Sequence, residues 1–129
     1  MIMGPHMPAA PRWARGRKIL VVEDEALIAM MLEDLLQEMG YATHGPASSV
    51  EDALGMVDAG GIDGAILDLD INGHSSLPVA EKLKAKGVPF AFTTGSMEAP
   101  PGMGGAPLLQ KPYSSEQLRH VLDGFFQPA

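Results

Sequence analysis

The 129-residue sequence contains no cysteine. Disulfides, thiolate nucleophiles and zinc–cysteine sites are therefore excluded, and the reading leans towards a reducing, cytoplasmic setting. No apolar run approaches the ~18 residues that span a bilayer, and there is no secretory signal, so no membrane partner is expected. Positive charge is scarce: nine Lys and Arg stand against sixteen Asp and Glu, a formal net charge of −7. Nucleic acid is not an expected partner either, because phosphate attraction needs an excess of positive charge. What is abundant is apolar: 46% of residues are hydrophobic, enough for the packed core of one domain.

Residues 1–16 carry Arg12 and Arg15 but no acid, and are rich in Met, Pro and Ala. Gly4-Pro5-His6-Met7 has the look of a cloning remnant. This stretch is expected to be a flexible extension, with the folded domain spanning 17–129.

From Lys18 the pattern changes. Ile19-Leu20-Val21-Val22 is a short β-branched run ending at Glu23-Asp24-Glu25, as in a buried parallel strand. Leu27, Ile28, Met31, Leu32, Leu35, Leu36 and Met39 recur at helical spacing until Gly40. Tyr41 to Gly45 reads as a weak strand stopping before Pro46. Ser48 with Glu51 has capping-box spacing, and Val50, Leu54 and Val57 line the next helix. Ala65-Ile66-Leu67 is a third strand leading to Asp68, followed by a polar loop over 70–76. Pro78, Val79, Ala80 and Leu83 mark a third helix ending at Gly87. Pro89 to Thr94 is a fourth strand and Leu108-Leu109-Gln110 a fifth. Ser114 and Gln117 make a capping box for a last helix lined by Leu118, Val121, Leu122 and Phe125. Residues 95–107 hold too many glycines and prolines for an ordinary helix and replace a fourth one with a loop. Strands alternating with helices predict an α/β fold with a parallel sheet covered on both faces.

Open α/β sheets place ligands at the carboxyl ends of their strands. There the first strand delivers Glu23 and Asp24, the third Asp68 and the fourth Thr94, with Lys111 after the fifth. Three crowded carboxylates repel unless something positive lies between them, and Mg²⁺ is the hard, oxygen-preferring ion that answers this. The set suits phosphoryl transfer, with a carboxylate nucleophile and a cation and hydroxyl to grip the product.

Val-Val-Glu-Asp-Glu at 21–25, Ile-Leu-Asp at 66–68, Thr94 and Lys111-Pro112 resemble the receiver domains of bacterial two-component response regulators, over roughly residues 17–126. The resemblance implies a flavodoxin-like, doubly wound five-stranded sheet in the order 2-1-3-4-5. It implies Asp68 as phosphoacceptor, and Mg²⁺ held by Glu23, Asp24, Asp68 and the backbone carbonyl of Asp70. Thr94 would be the switch hydroxyl and Lys111 the phosphate-binding lysine. Asp70 and Ser96 would modulate the phosphate's lifetime. Leu108 stands where an aromatic switch residue is expected. Gly-Pro-Ala-Ser-Ser at 45–49, the 87–95 segment and Leu-Gln-Lys-Pro-Tyr at 109–113 are similar to the subgroup of stand-alone alphaproteobacterial receivers with a Phe-Ala-Thr-Gly-type motif. In this chain Thr93 takes the alanine position.

The function so implied is acceptance of a phosphoryl group from a sensor histidine kinase or histidine phosphotransfer protein. Signalling would then pass by contact with a downstream protein partner, from a monomer or weak dimer that is not an enzyme in the ordinary sense. A phosphate sink, or a receiver fragment of a hybrid kinase, is the alternative. Two readings from other classes fit less well. Asp68 to Gly73 matches the start of a Ca²⁺-binding loop, but its twelfth position is Val79 and not Glu. Asp68-x-Asp70 also resembles haloacid-dehalogenase phosphatases, but the βαβα segment ahead of it has no place in that scheme.

Overall fold

The computed structural model describes residues 10–95 and 105–128. The elements are β1 (Lys18–Val22), α1 (Ala26–Glu38), β2 (Ala42–Ala47), α2 (Val50–Ala59), β3 (Gly64–Asp68), β4 (Asp70–Ile71), β5 (His74–Ser75), α3 (Leu77–Ala85), β6 (Phe90–Thr94), β7 (Leu108–Gln110) and α4 (Ser115–Phe126). Five of the strands form one parallel sheet in the order β2-β1-β3-β6-β7, which is the predicted flavodoxin-like order.

Successive side chains of a strand point to opposite faces, and here both faces are covered. Ile19 and Val21 of β1 join Ile66, Ala91 and Leu109 under α1 and α4, where Leu32, Leu36, Leu118 and Leu122 meet them. Leu20 and Val22 join Ala65, Leu67 and Phe92 under α2 and α3, against Ala53, Val57, Val79 and Leu83. Two buried layers on one sheet explain why these strands read as unbroken apolar runs.

The structure corrects four local expectations. β2 does not stop before Pro46 but continues to Ala47. It is an edge strand, and its register against β1 shifts between Leu20 and Val22, so proline sits at a bulge that needs no donor. The cap of α2 is Ser49, which accepts from the Asp52 N–H at 3.0 Å; the sequence pointed one residue earlier, to Ser48. On α1 the buried stripe is Ala29, Leu32 and Leu36, whereas Leu27, Met30 and Met31 are exposed. The polar loop after β3 is a small antiparallel hairpin: Asp70 pairs with Ser75 and Ile71 with His74. Its turn, Asn72-Gly73, has φ of +54° and +80°, the left-handed pair that a two-residue hairpin turn requires.

The expected flexible opening falls partly on residues 1–9, outside the described chain. Within residues 10–16, Ala10, Pro11 and Trp13 are partly buried and Arg12, Arg15 and Gly16 are exposed. Ala14 is fully buried within the α1–α4 core, and the indole N–H of Trp13 donates to Asp123 Oδ1 at 3.1 Å. Likewise, the loop expected in place of a fourth sheet helix falls mostly on residues 96–104, which also lie outside the described residues. Among those described there are four helices, none long and apolar enough to cross a membrane.

Candidate functional site

Parallel strands end on the same edge, and the residues following them converge there. Glu23, Asp24 and Asp68 offer carboxylate oxygens that all lie within 4.8 Å of one another. Glu23 is 4% exposed, an unusual burial for an acid. One of its oxygens accepts the Glu25 N–H at 3.1 Å, and the other lies 3.1 Å from Lys111 Nζ. Lys111 Nζ also lies 2.7 Å from Asp68 Oδ2. Asp68 Oδ1 accepts the Asp70 N–H at 3.2 Å, which holds the first residue of the hairpin beside it.

Lys111 is delivered by backbone. Its N–H donates to the Thr94 carbonyl at 2.7 Å, extending the β6–β7 pairing one step beyond the strands. Thr94 is buried at the end of β6, and Asp68 faces Thr93 across the β3–β6 ladder. Asp24 is held from the hairpin side, since Asn72 N–H donates to its Oδ2 at 2.9 Å.

The electrostatics follow from this packing. Burial pushes the Glu23 carboxyl up from 4.5 to about 7. The Glu25 and Lys111 hydrogen bonds oppose the rise, and the Asp68 charge adds to it. The Asn72 N–H draws Asp24 below the usual carboxylate range. Burial works to lower Lys111, but its hydrogen bonds and charge contacts with Asp68 and Glu23 win and raise it. The pocket thus holds one firmly charged cation among three acids and has room in its chemistry for another. Three hard oxygen donors at this spacing fit a small divalent ion.

Of the residues singled out from sequence, Glu23, Asp24, Asp68 and Lys111 are brought together, with Thr94 at the adjoining strand end. Asp70 is exposed on the hairpin. Leu108 is half-buried in β7, paired with Phe92, and packs on the α2–α3 face of the sheet. Ser96 lies outside the described residues. Asn72 was missed. An Asn-Gly pair is the strongest short-range hairpin signal, and would have found the turn though not its contact with Asp24.

Fold and site define a doubly wound α/β domain with an acidic, lysine-braced pocket at the carboxyl edge of its sheet. The chain belongs to the response regulator receiver domain family, which it matches over residues 19–123. Among solved structures it is similar to SdrG from Sphingomonas melonis Fr1, at 40% identity and a TM-score of 0.77, covering 87% of this chain and 97% of that one. The BeF3-activated conformation of SdrG is similar at a TM-score of 0.71, covering 89% of this chain and 96% of the other. The transcriptional regulatory protein PdtaR of Mycobacterium tuberculosis is 29% identical over 108 residues, 79% of this chain. The chain spans about half the length of the curated relatives it matches. It is a signalling domain by family.

Proposed function

We propose that this receiver takes a phosphoryl group onto Asp68 from the phosphohistidine of a sensor kinase or phosphotransfer protein. The observation that carries the reading is the contact of Lys111 with Asp68 inside a cluster of acids. Asp68 supplies the nucleophilic oxygen: a new P–O bond forms as the P–N bond to the donor imidazole breaks, and the imidazole leaves with a proton. Glu23, Asp24, Asp68 and the Asp70 carbonyl would hold Mg²⁺, which when bound neutralises phosphate oxygens. Lys111 exchanges its contact with the Asp68 carboxylate for one with the acyl phosphate, and the Thr94 hydroxyl takes another phosphate oxygen. Asp70, two residues beyond the acceptor, would modulate hydrolysis of the phosphate, and the resemblance gives Ser96 the same modulating role.

Phe92-Thr93-Thr94-Gly95 is the feature that favours the Phe-Ala-Thr-Gly subgroup, with Thr93 in the alanine position. Leu108 in the aromatic position implies that the switch is read differently from an aromatic rotamer. Exposed Leu27, Met30 and Met31 on α1, which begins just after the acid pair, suit a protein donor better than a small molecule. Output is by contact with a downstream protein.

The test is incubation with a phosphohistidine donor and Mg²⁺, read by intact mass and Phos-tag gel. One acid-labile phosphate is expected, and Asp68→Asn should abolish it, since an amide forms no acyl phosphate. Label retained at the wild-type rate in Asp68→Asn would reject the assignment. BeF3, which activates SdrG, is the matching non-covalent probe.

A further inference from the structure

Asn72 bridges two loops at the site. Its side-chain Nδ2 donates to the Ser48 carbonyl at 2.9 Å, in the loop entering α2. Its backbone N–H donates to Asp24 Oδ2, also at 2.9 Å. Ser48 and Asn72 are 24 residues apart, and Asp24 and Asn72 are 48 apart, so one residue ties the ends of β1, β2 and the β4–β5 hairpin together. The backbone makes this possible, because φ of +54° at Asn72 directs its N–H inward while the side chain reaches back to Ser48.

We infer that Asn72 is a positioning residue for the metal site: its amide clasp on Ser48 sets the hairpin so that its N–H fixes the Asp24 carboxylate. This rests on the proposed function, in which Asp24 is a metal ligand. Partners that orient a ligand from behind commonly govern metal affinity as strongly as tenfold or more. Asn72 is solvent-exposed, so water competes for the clasp and a more modest effect is expected here.

A turn-forming role and a clasp role make opposite demands. A left-handed turn accepts glycine at least as well as asparagine. The clasp needs the side-chain donor. Asn72→Gly therefore keeps the turn and the N–H but removes the Ser48 contact.

The experiment is an NMR titration of the full chain with Mg²⁺ alone, alongside thermal unfolding. Wild type should bind and shift the Ser48 and Ser49 amides as well as those around Asp24. Asn72→Gly should unfold at the same temperature, bind Mg²⁺ at least threefold more weakly and lose the Ser48 and Ser49 response. Affinity changed by less than threefold overturns the inference. Asn72→Asp gives a second arm. It keeps the shape and tolerates the turn, but puts a carboxylate where a donor was. Loss of the clasp predicts weaker binding, whereas the extra negative charge alone predicts tighter binding, and tighter binding overturns the inference. A wild-type chain that gives no Mg²⁺ response removes the metal reading and the clasp together. A responsive wild type with an unaffected Asn72→Gly removes only the clasp.

Discussion

Lys111 Nζ stands 2.7 Å from Asp68 Oδ2 across 43 residues of chain, and the strands that carry them are not neighbours: β6 lies between. The contact exists because the Lys111 N–H is bonded to the Thr94 carbonyl, so the side chain projects over the edge of β6 towards β3. With Glu23 at 3.1 Å, this ammonium is a counter-charge within the acid cluster. Lys111→Met should leave two carboxylates facing each other. The expected cost is about 1–3 kcal/mol at pH 8, below a fully buried pair because Lys111 keeps 24% of its side chain exposed. At pH 5.5 Glu23 carries a proton and the cost should shrink. Urea unfolding at the two pH values checks this; equal losses would count against it.

Glu23 makes stability depend on pH in an unusual direction. Its carboxyl rises from 4.5 to about 7 on folding. Between those values the folded chain holds a proton that the unfolded chain has lost, so stability falls as pH rises through this window. The swing is on the order of 3 kcal/mol. Half-buried Glu33 is also raised by burial and adds in the same direction. Asp24 acts oppositely: its lowered value contributes stability that is lost only as pH falls below the ordinary range near 3.8. Metal-free protein should therefore be most stable near pH 4–5. Glu23→Gln should flatten the fall and stabilise the chain at pH 8. A flat wild-type profile from pH 4.5 to 7 would contradict the burial argument.

Most of the architecture is legible in the sequence because both sheet faces are buried. Ile19 to Val22 and Ala65 to Leu67 can only be central strands, and the acids that follow them can only stand at the same edge. Ser114 and Gln117 announce α4, and the reciprocal capping box is formed. What was not legible depends on tertiary partners. Leu27 and Met31 fit a helical period as well as Ala29 does, and only the position of the sheet decides that alanine faces inward. The packing of Ala10 depends on Gly40, where a Cβ would collide with the Ala10 side chain. Composition at residues 10–16 carries no sign of that fit. At the site, residue types announced the acids and the lysine, whereas the Asn72 link to Asp24 is a backbone contact: Asn-Gly marks the turn but not what its N–H meets.

Gly45 should tolerate no side chain. Its φ is +100°, and a Cβ there would lie 2.8 Å from the Ala47 nitrogen and 3.1 Å from the Val21 carbonyl oxygen. Both are backbone atoms and cannot swing away. Gly45→Ala should cost about 2–4 kcal/mol and loosen the β1–β2 pairing. Gly61→Ala has a similar positive φ but open space around it, and serves as the control for backbone strain alone. Equal melting temperatures for the two variants would show that the close approach does not matter.

Met31→Asp should separate a protein donor from a small one. The side chain is 59% exposed, so the fold has little to lose. Phosphotransfer from a kinase should slow several-fold if α1 is the docking face, because a charge there must be desolvated. Phosphorylation by phosphoramidate, a small donor that bypasses any docking face, should keep its rate. Parallel slowing of both would place the effect in the site and not in docking.

Trp13 should report whether the opening segment belongs to the folded unit. It is the only tryptophan in the chain. It is half-buried against the α1–α4 core, and its indole donates to Asp123 on α4. Its carbonyl accepts from Arg17 Nε, and the Arg17 guanidinium lies 4.6 Å from the Phe126 ring centroid. The Gly16 N–H donates to the Gly40 carbonyl at 3.2 Å, so the segment crosses the end of α1 and reaches α4. Removing residues 1–16 should strip cover from Met39 and Tyr41, both 5% exposed, and delete fully buried Ala14. At roughly 25 cal/mol per Å² of apolar surface, loss of a half-buried indole and this cover corresponds to about 2–3 kcal/mol. Asp123→Ala alone should cost about 1 kcal/mol, the worth of one hydrogen bond. In the intact chain, Trp13 emission should shift to the red in the same urea transition that the circular dichroism follows. If its emission shifts well before the helices unfold, or if the shortened chain melts at the wild-type temperature, the segment is an appendage and the folded unit begins at β1.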